Sequence, residues 1–127
     1  MADLEKIGEG TAQFEDLTIR ALIVKLQKSF LLFVTDQVNF GIGTVNFSIP
    51  PSGISTQAIN SPFNLFGLKN NLLSSVIGKN ATTHLKAPVL SMIYLLSTNI
   101  KEEQLMKIAM EAVLQAIRAA KAVLNLT

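Results

Sequence analysis

Residues 101–127 read as one long helix whose apolar surface is wider than a single small sheet needs. Successive side chains on a helix advance by about 100°. On that wheel Lys107, Glu111, Gln115, Arg118 and Lys121 share one polar stripe. Leu105, Ile108, Ala112, Val113, Ile117 and Val123 fill most of the rest, and Met106 and Met110 widen the apolar arc on one flank. A helix resting on one core needs an apolar stripe of about 100° or slightly more. The excess calls for a second partner, in this chain or in another. Ala109, Ala112, Ala116 and Ala120 form a small-residue ridge that lets the helix lie close on its own sheet. Met106, Met110, Leu114 and Ile117 are the candidate contacts with another protein, because flexible thioethers suit contact surfaces.

The chain has 127 residues, enough for one domain with a hydrophobic core of its own. Hydrophobic residues make up 49% and charged residues 16%, below the roughly 25% of an ordinary water-exposed domain. The longest unbroken apolar runs, 30–34 and 92–96, are far short of the ~18 residues of a membrane span. The chain opens Met-Ala-Asp-Leu-Glu, with acids where a signal peptide carries basic residues, so a cytoplasmic or nuclear location is expected. With no cysteine, disulfides and thiolate metal sites are excluded. A net charge of +2 from scattered basic residues does not make a nucleic-acid footprint.

Residues 1–13 carry Gly8, Gly10 and several charges and read as a loose leader before a single α+β domain over 14–127. Leu17, Ile19, Ala21 and Ile23 then alternate as a strand does, with the phase blurring at Leu22, Val24 and Leu26, as two-sided burial or a bulge would produce. Residues 30–35 read as a central strand, and Val45, Phe47 and Ile49 share one face of a third, stopped by Pro50 and Pro51. After a Pro/Ser-rich loop, Ser61 and Pro62 predict the start of a helix running through Leu65, Leu72 and Val76 to a stop at Gly78. Residues 80–86 are polar and read as a loop, and 89–96 as a buried strand. Asn99 and Glu102 form a capping-box pattern ahead of the last helix. The expected fold is α+β: an antiparallel sheet flanked by helices, in the order β-β-β-α-β-α.

Chemistry is thinly provided for. His84 stands alone in a polar stretch, where an exposed, idle imidazole is the ordinary reading. Gly41-Ile42-Gly43 lacks the third glycine and the following helix of a dinucleotide loop and reads as a turn. Asp36 at a strand end reads as a turn former. The expectation is a protein that is not an enzyme and uses no cofactor or metal. Its loops at 36–43 and 51–62 would touch a protein client, with Asp36, Gln37, Asn39, Phe40, Ile54 and Ile59 as candidate contacts.

The run from Phe30 to Thr35, then Asp36 and Gln37 leading through Gly41 to Gly43, Thr44 and a second strand, resembles the central hairpin of the small proteasome-assembly chaperones, the third and fourth members in eukaryotes. The tail is similar too: a leucine-bearing helix, a buried strand, a short polar step and a closing helix rich in Ala, Val and Leu. The resemblance implies an antiparallel sheet with helices and no catalytic site. It further implies a homo- or heterodimer that holds proteasome α-type subunits, together with a related small chaperone. Two other readings stay open: a roadblock- or longin-like scaffold for small GTPases or trafficking complexes, which an early helix over residues 3–14 or a strand order joining the chain ends differently would favour, and a ligand pocket gathering Asp36, Tyr94 and His84.

Overall fold

The computed structural model describes residues 4–51, 59–64 and 71–126, and the calls on Ile54 and Leu65 lie outside these residues. In chain order the elements are β1 (Glu5–Phe14), β2 (Leu17–Leu26), β3 (Ser29–Thr35), β4 (Thr44–Ile49), β5 (Ile59–Asn64), α1 (Asn71–Leu85), β6 (Val89–Tyr94) and α2 (Glu102–Leu124). The six strands form one sheet in the order β1-β2-β3-β6-β4-β5. All pairings are antiparallel except β3 with β6, which run parallel. A parallel pair needs a long crossover, and α1 supplies it. The α+β class expected from sequence is the fold observed.

Both helices lie on one face. α2 packs across β1 and β2, α1 packs across β4, β5 and β6, and the helices touch each other. Beneath them Ile19, Ala21 and Ile23 of β2, Phe30, Leu32 and Val34 of β3, and Val89 and Ile93 of β6 join the helices' apolar stripes in one buried core. β2 is buried on both faces at Leu22 and Val24, as its blurred pattern indicated.

The expected loose leader is instead β1. Its glycines, which argued for looseness, are what the fold needs. A Cβ at Gly8 would collide with the carbonyl oxygen of Ala116, and one at Gly10 with that of Ala112. The alanine ridge of α2, fully buried at Ala109, Ala112, Ala116 and Ala120, therefore lies backbone to backbone against β1. The Thr11 N–H donates to Gln115 Oε1 at 3.1 Å and ties the same contact from its rim.

Residues 61 and 62 belong to β5, not to a helix start, and α1 runs on through Gly78 to Leu85. Ser74, Gly78 and Thr82 stand four residues apart and make a small, polar stripe against β4. A Cβ at Gly78 would strike Asn46 and Ser48. Leu73, Ile77, Ala81 and Leu85 form the apolar stripe. Lys86, at φ 57°, turns the chain out of the helix. The capping box does not form: Lys101 is the N-cap of α2, with no side-chain hydrogen bond.

Gly10→Ala is expected to cost about 2–3 kcal/mol by overpacking, read as a loss of several degrees in Tm, with β1 amides losing hydrogen-exchange protection before those of β3. Unchanged protection in β1 would show that the close approach to α2 is not what holds this strand.

Candidate interaction surface

The face of the sheet away from the helices carries the main anomaly. In β4 the polar residues point inward and the apolar ones outward. Thr44, Asn46 and Ser48 are fully buried under α1, while Phe47 is 45% and Ile49 39% exposed. A strand of a two-layer fold normally shows the reverse, so a buried polar row beside an exposed apolar one is the informative observation. The inward row is held by hydrogen bonds: Asn46 Nδ2 donates to Ser48 Oγ at 2.9 Å and to the Ser74 carbonyl at 3.1 Å, and the Thr82 hydroxyl donates to the Ser48 carbonyl at 3.4 Å.

Register extends the outward row into a patch. Phe47 lies opposite Leu90 and Val45 opposite Met92. Leu90 and Met92 pair in turn with Leu31 and Phe33 of β3. These partners are half-buried, and no helix among the described elements covers them. Large contiguous apolar patches left uncovered mark interaction sites, whereas apolar residues exposed singly do not.

The loop at 36–43 bends back over one end of this face. The Phe40 ring meets that of Phe33 at 5.6 Å between centroids, and the Arg20 guanidinium stands 4.8 Å from the Phe40 centroid. Arg20 Nη2 also donates to the Gln37 and Val38 carbonyls. Gly41 lies against the ring of Tyr94. The root of the loop is pinned by Asp36, whose carboxylate accepts from the backbone N–H groups of Leu96 and Ser97 and from the Gln37 side chain. Partial burial raises the Asp36 pKa, but the hydrogen bonds from Ser97, Gln37 and Leu96 outweigh it and hold the group below its ordinary 3.8. Val38, 89% exposed, and Ile42 project from the resulting strap.

The sequence candidates divide accordingly. Ile117 is only 1% exposed and sits in the core beneath α2, so it is not a surface residue. Met106, Met110 and Leu114 are half-buried at the edge of that core, and Met110 and Leu114 line a shallow groove with Lys107, Glu111 and Arg118. Asp36 and Gln37 are engaged within the strap, Asn39 is exposed, and Phe40 is half-buried. Ile59 opens β5, and Ile54 is outside the described residues. His84 is not in a loop but on α1, half-buried, with Nδ1 3.5 Å from Lys121 Nζ. It lies at the opposite end of the sheet from Asp36 and Tyr94, so these three do not gather in a pocket. The sequence did register that Val45, Phe47 and Ile49 share a face. Alternation alone cannot say which face is covered; the buriable size of Thr44, Asn46 and Ser48 was the available signal.

The architecture is two-layered, with two helices backing one face of a six-stranded sheet whose other face carries no helix among the described residues. Among solved structures the chain is similar to a chain of a chaperone complex for yeast 20S proteasome assembly. The TM-score is 0.53 at 12% identity, over 96% of this chain and 93% of that one, so the two share a fold from end to end. No family model matches the sequence. No curated protein matches it either.

Asp36→Asn is expected to lower Tm at neutral pH. A carboxyl held below its ordinary pKa contributes stability above that ordinary value, near 3.8, and loses it as pH falls through the lower native one. The Tm gap between wild type and variant should thus be constant from pH 7 to 5 and close below pH ~4. A gap that persists at pH 2 would mean that the charge is not what Asp36 contributes.

Proposed function

We propose that this protein is a non-catalytic chaperone that assists assembly of the proteasome core particle, pairing as a dimer and holding α-type subunits. The observation that carries the reading is the inverted polarity of β4, which gives this fold an apolar sheet face that no helix among the described residues covers. The end-to-end likeness in fold to a proteasome-assembly chaperone supports the class of client. An early helix over residues 3–14 would have favoured the scaffold alternative, and β1 stands there instead. No helix among the described residues is long and apolar enough to cross a membrane, and assembly of proteasome rings would place the protein in the cytoplasm or nucleus.

The sheet face holds the dimer in this reading, and the strap at 36–43 is left for the client. Met106, Met110 and Leu114 offer a second contact surface on the outer flank of α2. Sedimentation velocity separates the two: Phe47→Lys is expected to convert the dimer to monomer with Tm unchanged or raised, because a lysine at an exposed position of the free protomer is readily solvated. Met110→Lys is expected to leave the dimer intact. Monomer from Met110→Lys alone would move the interface to α2. Purified α-type subunits mixed with the wild-type protein should co-elute on gel filtration, and their failure to do so would remove the client from the proposal.

A further inference from the structure

We infer that the polar seam under α1 is a built water site: one buried water, held by Asn46 Oδ1, Ser74 Oγ and Ser91 Oγ, is part of the core of this protein. The inference rests on the packing of α1, β4 and β6 and is independent of the function proposed above.

Three elements assemble the seam. Asn46 of β4 and Ser91 of β6 stand opposite each other in the antiparallel register, and both are fully buried. Ser91 alternates with Leu90 and Met92 and so shares the helix-covered face with Val89 and Ile93. Ser74, also fully buried, comes down from α1. Three contacts fix how the helix lies along β4. The Thr82 hydroxyl donates to the Ser48 carbonyl at 3.4 Å, the bare face of Gly78 lies against Asn46 Nδ2 and Ser48 Oγ, and the Ser74 carbonyl accepts from Asn46 Nδ2 at 3.1 Å. Ser74 therefore stands at the Asn46 end of the seam. Helix side chains lean toward the N-terminus, so the Ser74 hydroxyl points past Nδ2 and away from Ser48.

The Asn46 amide fits in one orientation only. A carbonyl has no proton to give, so the atom that meets the Ser74 carbonyl must be the nitrogen. The other amide proton goes to Ser48 Oγ at 2.9 Å. Both donors are thus spent, and Oδ1 is turned to the opposite side, toward the two serines. Asn46 Oδ1, Ser74 Oγ and Ser91 Oγ have no hydrogen-bond partner among the described residues. Turning a hydroxyl moves its proton and not its oxygen, so it brings no partner within reach. Buried polar groups left unpaired are costly, and native interiors satisfy them with ordered water where no protein group can.

Water has the chemistry that fits. It donates to Oδ1 and to one serine and accepts from the other, about the three hydrogen bonds that a buried water usually makes. A cation is the wrong guest, because no buried side chain among the described residues carries a charge and hard cations need carboxylates and a larger set of oxygens. An apolar guest would leave all three atoms unpaired. Bound here, the water joins two neighbouring strands to the helix above them and makes the seam directional, where an apolar one would let α1 slide.

Ser74 and Ser91 do not bond to each other, so a ligand common to both is what would couple them. Ser74→Ala, Ser91→Ala and the double variant are compared with wild type by thermal unfolding, with circular dichroism to confirm that each is folded. Ser91→Ala is expected to lower Tm in the wild-type background and to lower it less once Ser74 is alanine, because the water has by then lost a partner. The comparison cancels the helix propensity that alanine adds at 74. An equal effect in both backgrounds would show that the hydroxyls share no ligand and would overturn the inference. A high-resolution crystal structure of the wild type should show one ordered peak at hydrogen-bond distance from all three atoms. Direct bonds among the three, or another side chain in that place, would overturn the water site whatever the coupling.

Discussion

A layer of two helices can cover one face of a six-stranded sheet and no more, and both helices of the described residues lie on the same face. That is a consequence of how each is held. α2 is drawn onto β1 by the absence of side chains: Gly8 and Gly10 face the alanine ridge, and the backbones come as near as carbonyl oxygens allow. α1 is the crossover between β4–β5 and the parallel strand β6, and it returns on the same side. Once both are in place, Leu31, Met92, Val45 and Phe47 on the other face have no helix of the described chain to cover them, and Phe33 has only the Phe40 ring of the strap.

The two halves of the core are built differently. Under α2 the contact is apolar and close, so dispersion and burial dominate. Under α1 it is polar, and Asn46 Oδ1, Ser74 Oγ and Ser91 Oγ are buried with no hydrogen-bond partner among the described residues. A buried polar seam stabilises little by burial, but its directional bonds fix where the helix lies on the sheet. Its companion effect is functional: with the inward row of β4 given to Asn46 and its neighbours, the apolar residues of that strand face outward. The strap adds rigidity. Asp36, Thr35 and Arg20 each spend their hydrogen bonds on the backbone of the strap or its root. A loop held this way would lose little entropy in binding the proposed client.

Much of the fold was legible. The strands at 17–26, 29–35, 44–49 and 89–94 and the final helix follow from period and composition, because each has a continuous apolar pattern to read. β1 was missed because its signal is a pair of glycines, which reads as looseness until the facing alanines are known to touch them. The second half of α1 was missed because Ser74, Gly78 and Thr82 break the apolar period, and they break it because their partner strand is polar. On the surface, Ile117 was misassigned for the opposite reason: the apolar arc of α2 is wide because the helix packs on strands and on α1, which a wheel cannot show.

By itself the sequence determined the α+β class, the poverty of catalytic groups and the closeness with which the last helix can pack, since these depend on local period and side-chain size. Only the tertiary structure decided which face of β4 is covered and which apolar residues of the described chain stay uncovered. Those are properties of strand order and chain direction, set by pairings between residues distant in sequence, and a one-dimensional pattern carries no sign for inside or outside until the layers are assembled.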